Sequence, residues 1–122
     1  MDELVDRIVA RVGVDRAVAE KSVGIIFDFL SKEGPTEKVH ALLDRLPGAN
    51  AALAVAREGD GGGMFGSMGG IMGVGSRLMA AGLGMGEIQS VTRELIAYAR
   101  EMAGEEAVGE IVAAVPGLSQ FI

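Results

Sequence analysis

Apolar positions in the first third of the chain fall at three- and four-residue spacings. Leu4, Val5, Ile8, Val9 and Val12 share one helical face, and acids and arginines fill the other, which predicts an amphipathic surface helix. Asp2 stands where an N-cap belongs, and Gly13 can end the helix in a left-handed conformation. A second helix follows from Val14, with Asp15 as cap and Val18, Val23, Ile26, Phe27 and Leu30 as its apolar face. Gly34-Pro35 ends it, since glycine suits a C-cap and proline cannot continue the ladder. Val39, Leu42, Leu43 and Leu46 then mark a third helix, with Pro35 in its first turn or Thr36 as cap, broken at Pro47-Gly48. Ala49 to Arg57 is rich in strong helix formers and predicts a short fourth helix.

The pattern fails between Gly59 and Gly86, where 12 of 28 residues are glycine and five are methionine. It returns from Glu87 to Ala103, with Ile88, Val91, Leu95, Tyr98 and Met102 on one face. Gly104 interrupts, Glu105 and Glu106 open a last helix at the end its dipole favours for negative charge, and Val108, Ile111, Val112 and Val115 form its stripe. Pro116-Gly117 closes that helix, and Leu118, Phe121 and Ile122 leave an apolar tail expected to dock. No run alternates with period two. The expected fold is therefore all-α: one domain of about six helices over residues 1–122, with halves at 1–58 and 87–122 flanking a Gly/Met-rich centre at 59–86.

The two halves are alike in layout. An offset of 69 residues aligns Val39 with Val108, Leu42 with Ile111, Leu43 with Val112 and Pro47-Gly48 with Pro116-Gly117. It also pairs Ile26 with Leu95 and Phe29 with Tyr98. Identities are few, so duplication and chance likeness of helical hairpins both stay open. Duplication would pack two hairpins about a pseudo-twofold with the glycine segment between them.

Three readings of the centre compete. It is a flexible linker, which Gly59 to Gly63 suits because each helical glycine costs roughly 1 kcal/mol against alanine. Or it contains a tightly packed helix, in which Gly62, Gly66 and Gly70 make a smooth stripe beside Met64, Met68 and Met72. Or it is a glycine zipper, over roughly residues 62–83, at a membrane. Met64 to Ser76 carries no charge but reaches only about 20 Å as a helix, against a hydrocarbon core of about 30 Å, and a longer span would bury Arg77. Spanning is disfavoured, and lying in the interface stays open.

Composition narrows the functions further. A chain of 122 residues can bury a core without staples. With net charge −6, and with eight of eleven cations interleaved among ten acids before Gly59, nucleic acid is not an expected partner. There is no cysteine, hence no disulfide, thiolate nucleophile or Cys-based zinc site. The N-terminal MDELVDRIVARVG lacks the apolar run of an export signal, and a cytoplasmic location is expected.

The layout resembles the family of small uncharacterised bacterial proteins named for VcgC/VcgE. The residues that carry the resemblance are Val12-Gly13-Val14, the helix Ala17 to Leu30, Leu46-Pro47-Gly48 with Leu53, the Gly/Met-rich centre, Leu83-Gly84-Met85 and the helix ending in Tyr98. The resemblance implies a helical fold and no established activity, so it supplies no catalytic residue. Many members begin with an export signal; MDELVDRIVARVG does not read as one, and export is the expectation only if a signal precedes it.

Chemistry is sparse. His40, the only histidine, has Glu37 and Asp44 one turn away on either side, but Lys38 and Arg45 make this read as a solvated face rather than a metal site. GDGGGMFGSMGG has neither a Lys-Ser/Thr pair after it nor a strand before it, so it is no phosphate loop. Ser22, Ser31, Ser67, Ser76, Ser90 and Ser119 lack a nucleophile's context, and Glu94, Glu101, Glu105 and Glu106 read as solvated helix faces. Met64, Met68 and Met72 could ligate Cu(I) through their thioethers, but without His or Cys beside them they read as packing. No cofactor, metal or small-molecule substrate is called for, and an enzyme would need polar groups converging between the two hairpins.

The expected function is therefore non-enzymatic: contact with another protein or with itself, most simply as a homodimer. The residues expected to make it are Met64, Phe65, Met68, Ile71, Met72, Leu78 and Met79, because Met-lined surfaces re-pack against varied apolar partners. The alternative is peripheral membrane or lipid association through the same segment.

Overall fold

The computed structural model describes residues 2–46, 48–59 and 70–115, apart from the side chains at 2, 36, 55–59 and 70–74. These residues form seven helices and no strand: α1 (Asp2–Val12), α2 (Arg16–Glu33), α3 (Thr36–Arg45), α4 (Ala49–Gly59), α5 (Gly70–Ala80), α6 (Met85–Ala103) and α7 (Glu105–Ala114). The expected six are present, and the seventh, α5, lies inside the Gly/Met-rich stretch.

α2 is the axis of the molecule. Every residue from Ser22 to Leu30 is buried, so this is an interior helix and not the one-faced helix its sequence suggested. Phe27 at its middle is wholly enclosed, and α1, α3, α4, α5 and α6 all pack on it. The buried Ser22 is satisfied locally, its Oγ donating to the Val18 carbonyl at 2.6 Å. Thr92 does the same in α6, toward the Ile88 carbonyl at 2.8 Å.

The two-part layout is borne by the backbone. Thr36 and Arg45 bound α3 as Glu105 and Ala114 bound α7, an offset of 69 residues. The same offset carries α2 onto α6 and α1 onto α5, with ends agreeing to one residue. Packing follows suit: α1 lies against α6, and α5 lies against α2. The like pairs α2 with α6 and α3 with α7 also meet, so these four contacts map onto one another when the units are exchanged, whereas α3 packs on α6 without an equal contact of α7 on α2. Each unit is thus three helices, 2–46 and 70–115, and α5 is the first helix of the second unit rather than part of a spacer. α4 has no counterpart among the described residues.

Local signals account for most boundaries. Gly13 at φ +84 and Gly82 at φ +110, one offset apart, turn α1 into α2 and α5 into α6. Gly34 is the expected C-cap of α2, its N–H donating to the Leu30 carbonyl at 2.8 Å, but with φ −91 it is not in the left-handed region. A Cβ there would sit 2.8 Å from the Leu30 carbonyl oxygen, 3.1 Å from Val39 and 3.3 Å from Val115, so glycine is required by close approach. Asp15 stands at the N-cap without a side-chain hydrogen bond, Asp2 is already helical, and Pro35 rather than Thr36 is the N-cap of α3. α6 starts two residues earlier than expected because the Glu87 carboxylate accepts the Gly84 N–H at 3.0 Å. At its far end Arg45 donates to the Ala103 carbonyl at 3.2 Å, bringing a cation from α3 to the negative end of the helix.

The expected apolar stripes of the described residues pack in or against the core, Val9, Val12, Val18 and Val112 only partly buried, with one exception. Met102 is exposed at the end of α6 and does not join Ile88, Val91, Leu95 and Tyr98 in the core. It lies four residues past Tyr98, but the Arg7 guanidinium stands over the Tyr98 ring, 5.5 Å from its centroid. Among the described residues no helix is long and apolar enough to cross a membrane.

Candidate contact surface

The expected contact residues fall in three groups. Met64, Phe65 and Met68 lie outside the described residues. Ile71 and Met72 belong to the α5 backbone, with nothing described of their side chains. Leu78 and Met79, adjacent in α5, are opposites: Leu78 is 1% exposed and packs in the core, whereas Met79 is 53% exposed. Leu78 therefore serves as an anchor inside the fold, and Met79 is the one that faces outward.

α5 is anchored by charge as well as by Leu78. The Arg77 guanidinium donates to Asp28 Oδ2 on α2 at 3.0 Å, and Lys32 Nζ stands 3.2 Å from the same oxygen. Asp28 is fully buried, and the Arg77 side chain is nearly so. A carboxylate taken from water needs such partners, and two cations from different directions supply them. Arg77, noted only as an obstacle to membrane spanning, is thus the fastening between α5 and the core. Asp28 was missed. Its signal was an acid embedded in the apolar run Val23 to Leu30, which can be buried only if a cation reaches it.

Around the turn from α5 to α6 the surface is apolar. Met79 lies in the last turn of α5, and Met85, the first residue of α6, is 60% exposed. Below them Leu83 is buried, and its N–H donates to the Leu78 carbonyl at 3.2 Å, closing the turn. Gly82 and Gly86 face open space, so nothing crowds the two thioethers from those positions.

The equivalent turn from α1 to α2 shares the positive-φ glycine and carries the opposite chemistry. Ala10 and Arg16 occupy the places of Met79 and Met85. Arg16 pairs with Asp6 and lies 3.6 Å from Glu20, and Arg11 pairs with Glu94 at 3.1 Å. Arg7 pairs with Glu101 and with Glu3 on the same flank. That hydrogen bond from Arg7 holds the Glu101 carboxyl below its ordinary range. Burial pushes the Tyr98 hydroxyl above its ordinary value, reinforced by Glu3.

The remaining candidates do not converge. His40, Glu37 and Asp44 are exposed, and no group of three His, Asp or Glu among the described residues could hold a metal ion. Glu94 and Glu101 are occupied by arginines, and Glu105 and Glu106 are exposed in the first turn of α7. Compared with protein-family models, curated proteins and solved structures, the chain matches none of them.

Proposed function

We propose that this protein works by contact, associating with a second copy of itself through a surface centred on the turn between α5 and α6. The supporting observation is the contrast between equivalent turns: Met79 and Met85 stand exposed where the other unit carries Ala10 and an ion-paired Arg16. Exposed methionines carry no charge or strong hydrogen-bonding group to desolvate and fit uneven apolar surfaces, which suits a contact site. A mean hydropathy of +0.35 points the same way. Two methionines are the centre of such a surface and not its whole, since stable interfaces bury roughly 1,200–2,000 Å² in total.

Light scattering across a concentration series tests this, paired with flotation on lipid vesicles. The intact chain is expected as a dimer at tens of micromolar, and M79D/M85D as a monomer with unchanged helical content. A monomer at all concentrations would sink the reading. Flotation of the intact chain, abolished in M79D/M85D, would instead assign the surface to lipid.

A further inference from the structure

We infer that Met79 and Met85 form a paired oxidation site, at which a peroxide converts the contact surface from apolar to polar. The inference rests on the contact reading above and adds to it a means of control. Both side chains are more than half exposed, at 53% and 60%, and both flank one turn. The glycines at 82 and 86 leave open space beside them, so in the separated chain, with which the dimer exchanges, an oxidant of peroxide size meets no steric barrier there. There is no cysteine anywhere in the chain to compete for it.

The step is a balanced oxygen transfer. A thioether sulfur donates a lone pair to one peroxide oxygen, an S–O bond forms and the O–O bond breaks. The departing hydroxide takes the proton left on the transferred oxygen and leaves as water, so sulfur is oxidised as peroxide is reduced. The product, methionine sulfoxide, is polar, and sulfoxide reductases can reverse it. Placed twice at the centre of an apolar contact, it leaves two acceptors to be desolvated on association. Leu78 and Leu83, buried beneath the same turn, are chemically inert, so the fold keeps its anchor while its surface changes. Met102, exposed at the other end of α6, serves as an internal control.

The test uses the full chain, treated with hydrogen peroxide, mapped by peptide mass and measured by light scattering beside M79L/M85L and M102L. Oxidation of Met79 and Met85 is expected to raise the dimer dissociation constant by at least about tenfold. M102L should respond like the parent, M79L/M85L should stay dimeric in peroxide, and a sulfoxide reductase should restore the parent dimer. Persistence of the parent dimer after both methionines are oxidised would overturn the inference alone, as would loss of the M79L/M85L dimer in peroxide. An untreated chain that is monomeric throughout would overturn the contact reading and this inference with it.

Discussion

At the scale of single residues, the decisive group is Asp28. Removing one partner of a buried ion pair leaves the other charge desolvated, at a cost of about 3–5 kcal/mol. Asp28→Ala is therefore expected to lower the urea midpoint markedly, and Asp28→Leu combined with Arg77→Met to recover much of the loss, because well-packed apolar pairs substitute for buried ions. Equal losses in the single and double variants would show that the pair is not what fastens α5. Tyr98 offers a cleaner reading, being the only tyrosine. Its raised pKa means the unfolded chain ionises first on the alkaline side, so stability holds below the ordinary value of 10.0 and falls as pH rises past it. Ultraviolet titration should show a single phenolate step above that value; a step at or below it would contradict the burial. Glu101 has the opposite sign. Its depressed pKa contributes above the ordinary carboxylate value of 4.5, and the contribution fades as pH falls. Arg7 and Glu101 are exposed enough for that effect to be slight.

Among elements, six of seven helices were legible because their apolar residues recur at helical spacing and Gly or Pro closes each run. α5 was not. Its glycines suited linker, packed helix and zipper alike, and its kinship with α1 is hidden by composition: Leu4 and Ile8 are matched by Gly73 and Arg77. What survives across the offset is Val5 with Val74 and Gly13 with Gly82, the glycines because both turns need a positive φ. Glycine identity alone could not separate backbone demand from close approach, and two substitutions do. Gly34→Ala forces a Cβ against Leu30, Val39 and Val115 and should destabilise by about 1–3 kcal/mol. Gly109→Ala, in the middle of α7 with nothing near its Cβ position, should stabilise by about 0.5–1 kcal/mol. Chemical denaturation reads both, and a stabilising Gly34→Ala would refute the close-approach account. Of the two exposed methionines at this turn, Met79 was among the contact residues expected from the sequence and Met85 was not. The inward and outward roles of Leu78 and Met79 depend on how α5 rolls against α2, which Arg77 and Asp28 set.

For the whole molecule, the important feature is that each unit gives its first helix to the other: α1 lies on α6, and α5 on α2. The likeness of the halves was visible in α2, α3, α6 and α7, but the exchange was not, since periodicity says which face is buried and not what buries it. The arrangement has a consequence during synthesis. Leu4, Val5 and Ile8 emerge ahead of the other helices, and about ninety residues must follow before α6 is complete. At roughly 5–20 residues per second, the leading helix waits several seconds for one of its two neighbours. Through that interval the nascent chain carries an apolar stripe that α2 can cover only on one flank. The opposite face of α1 carries the exposed Glu3, Asp6 and Arg11, which need no cover in that interval.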